Sequence, residues 1–127
     1  MDHHQREQII RQYMEGYNRF DVAKMVLHFD EDIVFENLSN GEVNMSLQGI
    51  EAFKKQAEQA TAYFSSRKQT PITFQHQDGQ TEVALDYQAV LAMDFPTGQK
   101  KGDELKLQGK SVFTFSGDKV VKLVDIS

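Results

Sequence analysis

One change of period constrains this chain more than any other feature. Up to about residue 67 the apolar residues recur at helical spacing; beyond it they alternate, as in half-buried strands. Residues 4–17 set Ile9, Ile10, Tyr13, Met14 and Tyr17 on one stripe, opposite Gln5, Arg6, Glu7, Arg11, Gln12 and Glu15. That pattern predicts an amphipathic helix. Asp21 is placed to cap a second, short helix that buries Val22, Met25, Val26 and Phe29 and is closed by Asp30-Glu31-Asp32. Ile33–Asn37 is expected as a strand with Ile33, Phe35 and Asn37 on one face, turned by Ser39-Asn40-Gly41 into a return strand over Val43–Leu47. After Gly49 a third helix carries Ile50, Phe53, Ala57, Ala60 and Phe64 on one side.

The second half reads as an antiparallel meander of four strands. A two-residue turn at Asp78-Gly79 pairs Phe74 with Val83, Ile72 with Leu85 and His76 with Thr81. The next strand points Val83, Leu85, Tyr87, Ala89, Leu91, Met93 and Phe95 inward. After a polar loop at Pro96–Asp103, the following strand points Leu105, Leu107, Gly109, Ser111, Phe113 and Phe115 inward. Ser116-Gly117-Asp118 leads into a last strand, Val120–Ile126. Helices segregated from strands indicate an α+β fold rather than α/β.

Composition narrows the partners. The 127 residues include 14 basic and 19 acidic side chains, a formal charge of −5. That balance argues against nucleic acid or an anionic membrane as the main partner. There is no cysteine, which removes disulfides, thiol nucleophiles and cysteine-held zinc. The N-terminus has no apolar stretch of signal-peptide type, and no segment is apolar enough to span a bilayer, so a cytoplasmic location is expected. No metal-ligand spacing, phosphate loop or dinucleotide motif occurs, so neither a metal nor a cofactor is expected.

The few polar residues on inward faces are the candidates for function, because burying one without a partner costs about 1–3 kcal/mol. They are Tyr13 and Tyr17, one helical turn apart, with Asn37, Tyr87 and Ser111; Phe53 and Phe113 supply apolar lining. His3 and His4 belong to the terminus, His28 lies off the buried stripe, and His76 is inward near a hairpin end. Asp125 depends on the last turn. Alternation allows either face of Val120–Ile126. A three-residue loop at Ser116–Asp118 pairs Phe115 with Lys119 and brings Asp125 inward opposite Gly109, whereas a two-residue loop inverts every side chain. An inward Asp125 would be desolvated, and its raised pKa would suit proton transfer.

Four short stretches resemble the nuclear transport factor 2-like superfamily, in particular its SnoaL-like branch: YMEGYNRFD (13–21), DIVFEN (32–37), QGIEAF (48–53) and GKSVFTFSGDKVVKLVDI (109–126). The resemblance spans nearly the whole chain and implies one domain over residues 1–127. It implies a cone-shaped, cystatin-like α+β roll, with three N-terminal helices on a curved, mostly antiparallel sheet around an internal pocket. It also implies a homodimer through the outer sheet face, which the outward Ala84, Val90, Ala92 and Val112 would suit. Against the ketosteroid isomerase branch, Tyr13 matches the oxyanion tyrosine, while Asn37 stands at the base and Ser111 at the acid position. A neutral Asn cannot accept the proton, so that reaction is not expected. Against the SnoaL-type polyketide cyclases, Asp125 falls on the acid/base aspartate, and Tyr87 stands where a histidine assists. Three readings stay open: a pocket for a small apolar or carbonyl-bearing ligand, a cyclase- or isomerase-type enzyme using Asp125, and a protein-interaction or structural dimer.

Overall fold

The computed structural model describes residues 1–127. Helix α1 (His3–Asn18) starts at a reciprocal cap: the Asp2 carboxylate accepts from the Gln5 amide, and the Gln5 side chain accepts from the Asp2 amide. Its stripe buries Ile10, Tyr13 and Met14. Helix α2 (Val22–Met25), capped by Asp21 as expected, crosses α1 at Gly16. A Cβ there would sit 2.8 Å from the Met25 amide nitrogen, so the crossing requires glycine. Helix α3 (Ile50–Ala60) buries Phe53 and Ala57 and ends in a 3-10 turn over Thr61–Tyr63.

Six strands form one curved mixed sheet: β1 (Phe29–Ser39), β2 (Glu42–Gln48), β3 (Phe64–Gln77), β4 (Gln80–Leu91), β5 (Glu104–Ser116) and β6 (Lys119–Ile126). Their order is β2-β1-β6-β5-β4-β3. β1 and β6 run parallel; every other neighbouring pair is antiparallel. The helices and the concave face enclose a core in which Ile10, Ile33, Val83, Phe113, Val120 and Leu123 are wholly buried. Tyr13, Phe29, Phe53 and Phe113 stack and abut one another with centroids 5.0–5.6 Å apart.

Several boundaries move. Asp30-Glu31-Asp32 belongs to β1 rather than closing α2, because Phe29 and Ile33 both enter the core and the backbone is already extended between them. Phe64 opens β3 instead of extending the α3 stripe. Met93 and Phe95 lie past the end of β4; Phe95 sits in a turn closed by its amide on the Gln99 carbonyl and packs on Tyr63 and Phe64.

The two important corrections are β-bulges. The Asp78-Gly79 turn has the expected length, and Phe74 faces Val83 and His76 faces Thr81. Leu85, however, faces Pro71, not Ile72. Ile72 is an extra, 53% exposed residue, and beyond it the alternation of β3 is inverted. Gln69 and Arg67 are thereby turned inward. At the other end, the β5–β6 connection is a two-residue turn, since Ser116 pairs with Lys119. On its own that turn would aim Asp125 outward. A bulge at Val121, between the Phe115–Val120 and Thr114–Lys122 pairs, inverts the strand again. Asp125 therefore takes the inward one of the two facings left open, but opposite Ser111 rather than Gly109.

Candidate functional site

Three neighbouring strands place three polar side chains in one row on the concave face. Asn37 of β1 pairs with Asp125 of β6, and Asp125 pairs with Ser111 of β5. The row below is apolar: Phe35, Leu123 and Phe113. The polar row thus marks where the core stops and a cavity starts. Two adjoining pockets lie there, the two lobes of this site. One, of about 250 Å³, lies between α1, α3 and the sheet and is lined by Tyr13, Tyr17, Phe35, Asn37, Met45, Leu47, Phe53, Ala57, Ala60, Arg67 and Asp125 among others. The other, of about 170 Å³, opens along β4 and β5 beside Tyr87, Gln69, Leu107, Gly109 and Ser111. Tyr17, Asn37 and Asp125 line both lobes.

The Ser111 hydroxyl donates to Asp125 Oδ1 at 2.7 Å. Burial raises the Asp125 carboxyl from 3.8 to about 6, against the opposing pull of that hydrogen bond. Near neutral pH the group can hold or release a proton. The Tyr13 phenol is held well above its ordinary range, first by burial and then by the nearby Asp125 charge, so it stays a neutral hydrogen-bond donor. Tyr17 and Tyr87 share one hydrogen bond, 2.8 Å between hydroxyl oxygens, and burial raises both. The Asn37 amide donates to Asn44 Oδ1 at 2.8 Å, leaving its own carbonyl oxygen free to accept. Asn44 is itself the extra residue of a bulge in β2.

Comparison with known proteins fits this architecture. The family model described as the SnoaL-like domain matches residues 10–123. The chain belongs to the SnoaL-like family. Solved structures share its fold at low identity. A candidate polyketide cyclase from Xanthomonas campestris pv. campestris gives a TM-score of 0.83 at 16% identity, over 98% of this chain and 90% of that one. A candidate SnoaL-like polyketide cyclase from Jannaschia sp. CCS1 gives 0.80 at 10% identity, over 95% and 83%. A cystatin-fold protein from Novosphingobium aromaticivorans gives 0.73 at 17% identity, over 94% and 96%. No curated protein matches the sequence.

In this SnoaL-like domain the structure brings together Tyr13, Tyr17, Asn37, Phe53, Tyr87, Ser111 and Asp125. Phe113 is not with them: it is wholly buried beneath Tyr13, one row below the cavity. The histidines stand apart. His76 bonds Thr81 through Nδ1 at 2.9 Å and Glu7 through Nε2 at 2.8 Å, and His3 stacks on it. His28 bonds Gln12. No cluster of acidic, histidine or cysteine side chains is built to hold a metal.

Sequence reasoning missed Arg67 and Gln69. Both are buried, at 5% and 7% exposure, and both line the cavity. Strict alternation counted back from Phe74 points Lys68 and Thr70 inward instead. Only the bulge at Ile72 corrects the count, and its sequence signal is faint: an edge-strand Pro71 next to a misfit apolar residue.

Proposed function

We propose that the cavity binds a small, largely apolar molecule bearing a carbonyl oxygen. The observation that carries this reading is the make-up of the larger lobe. Nine of its thirteen lining residues are apolar, and polar groups converge on one end of it, as ligand sites do. The larger lobe alone, at about 250 Å³, is below the roughly 300 Å³ at which pockets for drug-sized ligands begin, so a ligand seated within it is small. Met25 and Met45 give part of the wall adaptable shape. The test is titration with 2-tetralone followed by NMR. Saturable shifts at cavity residues are expected, and Ala60→Phe, which fills the lobe from α3, abolishes them. Shifts that do not saturate, or that persist in Ala60→Phe, overturn the reading.

A second reading rests on Asp125. A carboxyl that titrates at about 6 and is held by Ser111 on one oxygen leaves the other oxygen free for a proton on carbon. Tyr13, a neutral donor in the same lobe, would stabilise the oxygen anion formed when that proton leaves a carbon next to a carbonyl. The check is deuterium uptake by 2-tetralone in D2O. Catalysed uptake that rises through pH 6 and vanishes in Asp125→Asn supports the role. Uptake no faster than buffer, or unchanged in the variant, removes it.

A homodimer through the convex sheet face belongs to the same proposal. Ala84, Val112, Val124 and Ile126 lie half-buried on the face opposite the helices. Sedimentation of the protein and of Val124→Glu reads this directly: a dimer converted to monomer supports it, and a monomeric parent protein ends it.

A further inference from the structure

The cavity wall contains a cation with no counter-charge. Arg67 is 5% exposed and forms no salt bridge; its Nε donates to the Tyr17 carbonyl oxygen at 2.7 Å, and its Nη2 is buried with no partner. The guanidinium lies 3.7 Å above the Tyr17 ring and 4.6 Å from the Phe20 ring. The two rings and the Nε bond fix its plane. Phe20 reaches it as the left-handed residue, φ +58°, of the turn that ends α1, in which its amide donates to the Tyr17 carbonyl oxygen and the Asp21 amide to that of Gly16. Buried charges are ordinarily paired, because an isolated one is costly. Asp125 is the one acidic side chain lining either lobe, and its hydrogen bond goes to Ser111.

We infer that Arg67 receives an anionic oxygen of the ligand, so that the molecule this cavity takes is a small organic acid: a carboxylate on an apolar body. This rests on the small-molecule reading of the cavity and narrows it. The apolar body occupies the space beneath Phe53 and Ala57, and the carboxylate meets the pre-oriented guanidinium. Rings stacked on the Arg67 face leave its edge, where the N–H groups point, as the surface for recognition.

The test is calorimetric titration of the intact protein with two matched pairs, benzoate against benzamide and 2-naphthoate against 2-naphthamide. The acid of at least one pair is expected to bind about tenfold tighter than its amide or better, the factor that one charge-assisted hydrogen bond supplies. Arg67→Met, which keeps the length and removes the charge, should erase that preference while leaving amide affinity within about threefold. If Arg67→Met does not fold, the equally neutral Arg67→Gln carries the comparison, and a loss confined to the acid supports the assignment. Equal affinity for acid and amide in the parent protein, or an acid preference that survives loss of the guanidinium, overturns this inference and leaves the cavity reading intact. No binding of any of the four probes overturns both.

Discussion

The β4–β5 ladder and the strands that flank it follow different rules. From Gln80–Thr114 to Val90–Glu104, β4 and β5 pair without a single register shift. β3 carries two bulges and β6 one, and β2 carries another where it meets β1. The regular ladder supplies core residues such as Val83, Leu85 and Phe113; the bulged strands supply Arg67, Gln69 and Asp125. A regular strand extends a hydrophobic pattern. A bulge breaks the pattern at a chosen point and lets a polar residue face inward where alternation would not put it. The bulges thus add Arg67, Gln69 and Asp125 to a cavity wall whose regular part, Tyr87, Leu107, Gly109 and Ser111, comes from the β4–β5 ladder.

The largest effect that tests this contrast is a one-residue deletion in β4. Removing Asp86 shifts either Thr81, Val83 and Leu85 or Tyr87, Ala89 and Leu91 to the solvent face. The expected outcome is no cooperative thermal transition, since the loss exceeds the roughly 5–15 kcal/mol that holds a domain together. A folded deletion variant would break the contrast.

Next comes Asp125→Asn. The folded-state pKa of Asp125 lies above its ordinary value, so the folded protein binds this proton more tightly than the unfolded chain does. The associated stability is complete below about pH 4 and is lost as pH rises through about 6. The amide substitution keeps an oxygen acceptor for Ser111 and removes that loss. At pH 7.5 the variant should be more stable than the parent by about 1–3 kcal/mol, and at pH 3.5 the difference should disappear. Urea unfolding at the two pH values measures it.

A smaller gain is expected from Gln69→Leu, because Gln69 Oε1 is buried with no partner. Removing it should stabilise the protein by about 1 kcal/mol in the same assay. The smallest effect belongs to Ile72. Deleting the bulge residue leaves Pro71 opposite Leu85 and Thr73 opposite Ala84, so Arg67 and Gln69 still face inward. Stability should change by less than about 1 kcal/mol, in contrast to the Asp86 deletion on the neighbouring strand. If Ile72 is as intolerant of deletion as Asp86, bulge and ladder do not differ in the way described.

The same contrast explains what could be read from the sequence. The change of period near residue 67, the Asp21 cap, and the Asn40-Gly41 and Asp78-Gly79 turns are local signals, and each stands in the structure. The polar row of Asn37, Ser111 and Asp125 was legible because all three lie on otherwise apolar faces. The facing of Asp125 stayed open in the sequence, because an inward one required a three-residue turn and a two-residue turn reversed it. The structure reaches the inward facing through a two-residue turn and a bulge at Val121, two departures that cancel. Arg67 was hidden because a single uncompensated bulge leaves only the faint signal of Pro71 beside Ile72. Its burial is settled by tertiary packing against Tyr17 and Phe20, which no local window contains.

The strand order also decides when the cavity can come into being. β6 is the only seam between the β1–β2 hairpin and the β5–β4–β3 group. Asn37 and Asp125, brought side by side at that seam, come from the first and the last strand of the chain. Each group can zip up from its own tight turns, whereas the seam has to close a loop spanning most of the sequence, the slow kind of closure. A refolding chain therefore regains most of its strand content before it can capture a ligand, and the appearance of binding marks the last step of assembly.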